Sequence, residues 1–169
     1  MRHLIFFSYS HEDKKRLEDI QRMLTPLSEN VPLWNDTDIK PGEKWLEEIK
    51  KALASTRVAV LLVSSHFLAS KFIAGLELPS ILDDAEKEGL IVLWIYVGPC
   101  MYKRTPIADY QALYAEEIPL NNLSKPKRDL ILLDICEKII DIYYDTKTEN
   151  KLFQQRDPEE IGEAVVQQG

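Results

Sequence analysis

An α/β fold built on a parallel sheet is predicted by three features of the sequence. Short unbroken apolar runs, rich in β-branched and aromatic residues, recur along the chain and read as strands buried on both faces. Amphipathic helical patterns lie between them. The links joining the two kinds of segment are short, which requires right-handed crossovers and helices on both faces of the sheet.

The elements follow in order. Leu4 to Ser8 is an apolar run ending in hydroxyls and predicts the first strand. Leu17, Ile20, Leu24 and Leu27 form one helical stripe behind it. Val31 to Asn35 is a weaker second strand. Trp45, Ile49 and Leu53 recur every fourth residue and predict the next helix, and Val58 to Val63 the third strand. Ser70 is placed to cap a helix running to about Lys87. Leu90 to Val97 is the fourth strand, and Ala112 to Ala115 a short fifth. A last helix begins near Ser124 with Pro126 in its first turn, and Leu130, Leu133 and Ile140 are expected on its inner side.

Five strands in this pattern predict a flavodoxin-like three-layer α/β/α arrangement with parallel order 2-1-3-4-5. In such sheets ligands sit outside the carboxyl ends of the strands, at the switch point beside strand 1. The segments to interrogate are therefore Ser8 to Asp13, Asp36 to Gly42, Ser64 to Ser70 and Gly98 to Pro106. From Thr146 onward the chain turns polar, so one domain over residues 1–145 and a polar tail or linker over 146–169 are expected.

Composition narrows the function classes. A chain of 169 residues with 45% hydrophobic content buries enough surface to fold without disulfide or metal staples. The net charge of −7 argues against nonspecific binding to nucleic acid or to an anionic membrane. Cys100 and Cys136 form no ligand cluster and suit a reducing compartment. The longest apolar run, Leu90 to Val97, is far too short for a membrane span, and the N-terminus has no signal-peptide pattern. A soluble cytoplasmic protein is expected.

Several chemistries fail on missing residues. The six glycines are isolated, so neither a dinucleotide-binding G-x-G-x-x-G nor a phosphate-cradling G-x-x-x-x-G-K-[ST] exists. A phospho-acceptor receiver would need carboxylates after strands 1 and 3, where Ser8-Tyr9-Ser10 and Ser64-Ser65 stand instead. His3, His11 and His66 lack ligand spacing, so no metal site is expected, and no G-x-S-x-G marks a serine hydrolase.

Four boxes at the strand ends carry a positive signal. Phe6-Phe7-Ser8-Tyr9-Ser10-His11-Glu12-Asp13 resembles the opening box of TIR (Toll/interleukin-1 receptor) domains. Leu33 to Gly42 is similar to that family's second strand and BB loop, and Ala59 to Ser64 with Phe67 to Ser70 to the segment that follows. Phe72-Ile73-Ala74-Gly75-Leu76-Glu77-Leu78 resembles the third-helix box. The resemblance spans residues 3–142, is closest to the bacterial type, and is specific because the four boxes stand in order. It departs in one place: many members carry Trp-Cys shortly before the glutamate, where this chain has Phe72-Ile73.

The resemblance implies either a non-catalytic TIR–TIR interaction module or an NADase, which cleaves NAD+ at the nicotinamide–ribose bond. The products would be nicotinamide and ADP-ribose or a cyclic isomer of it. By position Glu77 would be the catalytic residue, with Ser8, Tyr9, Ser10, Asp36, Ile39, Trp45 and Ser70 binding substrate. NAD+ would be a substrate rather than a cofactor, self-association with other TIR domains would activate the enzyme, and anti-phage or stress signalling would be its setting. A nucleoside 2-deoxyribosyltransferase-like enzyme is a third reading, against which the Asp36 to Gly42 loop argues.

Each of these residues also has a plainer reading. Glu77 sits among apolar neighbours and could occupy the solvent stripe of a helix. Ser10 could cap a helix with Asp13 three residues on. Trp34 and Trp45 read first as packing aromatics, Lys40-Pro41-Gly42 as turn chemistry, and Pro79 as a helix kink at the Gly75 carbonyl. His11 and Arg104 are exposed candidates for phosphate contact. Tyr102 and Tyr110 are either faces of an assembly interface or solvent-facing loop residues.

Overall fold

In the computed structural model the apolar runs become strands of a single sheet. The model describes residues 2–35, 45–70 and 77–145, the side chains of Trp45 and Glu77 excepted. Strands β1 (Leu4–Ser8), β2 (Leu33–Asn35), β3 (Thr56–Val63), β4 (Ile91–Tyr96) and β5 (Gln111–Tyr114) pair in the order β2-β1-β3-β4-β5. Every pairing is parallel. Helices α1 (Lys14–Leu24), α2 (Trp45–Ala54), α3 (Ser65–Ala69) and α4 (Glu77–Lys87) lie in the connections, and α5 (Lys125–Tyr143) follows β5. The predicted fold class and strand order are those observed.

Alternation along each strand sends side chains to two separate apolar layers. Ile5, Phe7, Val58, Val60, Leu62, Leu93 and Ile95 pack with Leu17, Ile20 and Leu24 of α1 and with Leu132, Ile135 and Ile139 of α5. On the other face Phe6, Ala59, Leu61, Val63, Val92 and Trp94 meet Ile49 and Leu53 of α2 and Leu78, Leu82 and Ala85 of α4. Because β1, β3 and β4 are covered on both sides, they read as continuous apolar runs rather than alternating ones.

The bounds of four strands and one helix face differ from expectation: β2 starts at Leu33 rather than Val31, and β5 spans Gln111–Tyr114 rather than Ala112–Ala115. β3 starts two residues earlier than the apolar run, because the Thr56 hydroxyl is satisfied internally by donating to Ala52 O at 2.7 Å. β4 is one residue shorter at each end than its apolar run. At its entrance Gly89, with φ 105°, turns the chain out of α4, and the Leu90 amide bonds back to Ala85 O at 3.1 Å. The inner stripe of α5 is Leu132, Ile135, Cys136, Ile139 and Tyr143, whereas Leu130 and Leu133 are 70% and 49% exposed. The helix carries apolar residues around most of its circumference, so periodicity alone does not choose the stripe. Contact with α1 and the sheet chooses it.

The polar framework then fixes the amino edge of the sheet. The Arg2 guanidinium donates to the carbonyls of Leu53 and Thr56, both at 2.8 Å. The Tyr143 hydroxyl donates to His3 O at 2.7 Å, beneath Arg57, whose guanidinium lies 5.4 Å from the ring centre. These contacts hold the chain's first residues against α2 and α5, and leave the carboxyl edge for other work.

Candidate functional site at the carboxyl edge of the sheet

The site is built where β1, β3 and β4 end side by side. Ser8 closes β1 and is half-buried. Tyr9 is 8% exposed and packs into the layer that contains α1. Ser10 leaves the strand in an extended conformation, and its hydroxyl accepts from the Glu12 amide at 3.4 Å, capping a short 3-10 turn over His11–Asp13. The capping reading of Ser10 is therefore correct in part. Its expected partner Asp13 plays a different role.

Asp13 stands at the N-cap position of α1, yet its side chain does not cap that helix. Its carboxylate, 4% exposed, reaches across to β3 and accepts a 2.5 Å hydrogen bond from the Ser64 hydroxyl. Ser64 in turn accepts from the Phe67 amide at 3.2 Å and so caps α3. One hydroxyl thus ties the β1–α1 loop to the start of α3. The end of β4 joins the same cluster: the amides of Val97 and Gly98 donate to Val63 O at 2.9 and 3.3 Å. A Cβ on Gly98 would stand 3.4 Å from that of Ser64, at van der Waals contact, so β4's exit lies close against the capped turn.

Burial holds the Asp13 carboxyl above the ordinary carboxylate value of 3.8. The Ser64 hydrogen bond, His66 and Arg16 oppose the rise, while Glu12 adds to it. The half-buried Cys100 thiol, itself raised by burial, also feels the Asp13 charge. A raised carboxyl favours the folded state fully below pH 3.8, and that contribution is lost as pH rises through the shifted value. Asp13→Asn is therefore expected to melt with the wild type in acid and a few degrees above it at neutral pH. Thermal midpoints recorded from pH 3 to pH 8 check this, and a gap independent of pH would contradict it.

Glu77 is placed by its backbone. It opens the described part of α4, which runs towards the start of β4, so the helix begins on the carboxyl side of the sheet. Its neighbour Leu78 is fully buried on the β3–β4 layer. Two residues on, Pro79 O and the Asp83 carboxylate both accept from the Tyr110 hydroxyl, at 3.4 and 2.5 Å. Trp94 Nε1 donates to Tyr110 O at 3.0 Å, so β4 and the approach to β5 brace this helix. Burial, with Asp83 beside it, pushes the Tyr110 hydroxyl well above the ordinary phenol range, so it remains a donor at physiological pH.

The other expected residues divide clearly. Ser70 closes α3, its hydroxyl donating to Phe67 O at 2.9 Å, while residues 71–76, which it was expected to cap, lie outside the described residues. Asp36 and Ile39, with Lys40-Pro41-Gly42, lie outside the described residues, as do Gly75 and the tail 146–169. Trp45 begins α2. Trp34 is a packing residue as expected, stacked on Phe6 with ring centres 5.0 Å apart. Tyr102 is not a loose loop residue: its ring centre lies 4.7 Å from that of Trp94 and 4.9 Å from that of Tyr96. His11 is exposed, with its edge towards Tyr9, and exposed Arg104 lines a cavity of about 480 Å³ beyond β4 and β5, with Tyr96, Cys100 and Glu117. Both cysteines are free, and burial pushes the Cys136 thiol up to about 12.

Sequence reasoning missed the role of Asp13. Its position after β1 was visible, but its partner Ser64 is 51 residues away, and only the parallel pairing of β1 with β3 joins them.

A family model described as TIR domain matches residues 5–123. The chain belongs to the TIR-domain family. The match runs from β1 through β5 and takes in the strand ends described above. Among curated proteins, this TIR chain is 25% identical over 137 residues to an uncharacterized protein, y4lF, of Sinorhizobium fredii. The alignment covers 80% of the chain and 42% of the relative, so the chain spans less than half of that protein's length. Among solved structures, an NADPH-quinone reductase from P. pentosaceus aligns with a TM-score of 0.47 at 9% identity, over 82% of this chain and 97% of that one. Among the described residues, no helix is long and apolar enough to cross a membrane.

Proposed function

We propose that this TIR domain is an NAD+ glycohydrolase that cleaves the nicotinamide–ribose bond, releasing nicotinamide and ADP-ribose or its cyclic isomer. The observation that carries the reading is a glutamate, Glu77, in the first described turn of a helix that begins on the carboxyl side of a TIR-family sheet. Nicotinamide is already cationic in NAD+ and departs neutral, so its departure needs no general acid. The pair of carboxylates used in ordinary glycoside hydrolysis is unnecessary. What needs stabilising is the positive charge that develops on the ribose ring, and one carboxylate close to the sugar meets that need. Ser8 and Ser10 at the β1 end would meet hydroxyls or phosphates of the nucleotide. Asp36, Ile39, Trp45 and Ser70 would complete the pocket.

Activity is proposed to depend on self-association, in a cytoplasmic role in immune or stress signalling. The second reading, a non-catalytic TIR–TIR module, is supported by family membership alone, since a scaffold needs no catalytic glutamate. Incubating the purified chain with NAD+ at increasing protein concentration distinguishes the two. Nicotinamide release per molecule is expected to rise with concentration. Absence of release, even with the chains clustered on a bivalent support, would leave the interaction module.

A further inference from the structure

The geometry points to Asp13 as a positioning residue of this site: through Ser64 it holds the Ser8–Ser10 wall of the substrate pocket in register with α3, the helix that precedes the Glu77 segment. The inference rests on the NAD+-cleaving reading and adds to it a residue that the substrate does not touch.

Three observations carry it. First, an aspartate at an N-cap would ordinarily accept from its own helix amides. Asp13 makes no such bond and turns inward instead. Second, its carboxylate is nearly inaccessible, and its 2.5 Å partner is a neutral hydroxyl rather than a cation. A side chain held inside on one hydrogen bond to a hydroxyl from another strand serves that link and not solvent or a counter-charge. Third, Ser64 spends its proton on Asp13 and its lone pair on the Phe67 amide. An ionised Asp13 can only accept, so it fixes the direction of that hydroxyl and keeps the lone pair aimed at α3. The strut therefore runs from the β1–α1 loop, through one oxygen, to the helix that precedes the Glu77 segment. The exit of β4 lies against it, with the Val97 and Gly98 amides on Val63 O, next to Ser64.

A wall that binds substrate equally in the ground and transition states shows its loss in KM and not in kcat. In steady-state assays of the full chain, Asp13→Ala and Ser64→Ala are each expected to raise the KM for NAD+ about tenfold, with kcat within about threefold of wild type. The double variant is expected to be no worse than the poorer single, because both remove the same link. Asp13→Asn, whose amide oxygen still accepts from Ser64, should restore KM to within about twofold. An unchanged KM in Asp13→Ala, or an Asp13→Asn as impaired as Asp13→Ala, overturns the inference.

Should the wild-type chain release no nicotinamide, the NAD+-cleaving reading fails and the strut is judged by amide hydrogen exchange. Asp13→Ala is then expected to speed exchange at Glu12 and Phe67, the amides held by Ser10 and Ser64, about tenfold. Unchanged exchange at both would overturn the strut itself.

Discussion

Glu77→Gln is expected to lower nicotinamide release from NAD+ at least about 100-fold, with thermal unfolding and NAD+ binding close to wild type. The substitution keeps the side chain's size and one acceptor oxygen, exchanges the other for an N–H donor, and removes the charge. A neutral amide still holds ribose hydroxyls in the ground state, so KM should change little. It cannot stabilise the cationic ring as the nicotinamide bond breaks, so the loss falls on kcat. The comparison with Asp13 sharpens the assignment: a carboxylate near the reacting sugar loses kcat as an amide, whereas a positioning carboxylate tolerates the same change. A Glu77→Gln variant that turns over within a few-fold of wild type would remove Glu77 from the chemistry.

The second large effect is on stability. Leu78→Ala is expected to cost about 3 kcal/mol and to lower the thermal midpoint by roughly 10 °C. Leu78 is fully buried between α4 and the β3–β4 layer, beside Leu82 and Ala85. Truncation opens a cavity in a layer held rigid by the sheet on one side and by the Tyr110–Asp83 contact on the other. Because Leu78 adjoins Glu77, activity should fall before the chain unfolds. Leu133→Ala is the control: the residue is 49% exposed on α5, and its truncation should shift stability by less than about 0.5 kcal/mol. Equal losses for the two leucines, measured by denaturant unfolding, would contradict the assigned packing.

Much of the candidate site was legible before the fold was known. The boxes around Ser8 and Ser64 fall at strand ends because hydroxyls interrupt apolar runs there, and a strand-to-loop change is local information. Asp13 was different. Read along the chain, it is the third residue after a serine, the spacing of a capping pair. In the structure its side chain turns to a strand that the chain reaches 51 residues later. Tyr110 escaped in the same way: nothing near it in sequence indicates a hydroxyl pinned to Asp83, 27 residues back.

The sequence by itself determined the α/β class, the number and order of the strands and the TIR relationship. The class and the strand count follow from periodicity and local composition, the strand order from the rules for parallel crossovers, and the TIR relationship from four boxes standing in order. Only the tertiary structure decided which stripe of α5 turns inward and which hydroxyl receives the Asp13 charge. Burial belongs to pairs of surfaces, and a helix that is apolar on several sides, or a carboxylate with several possible partners, is resolved only when a distant strand closes against it.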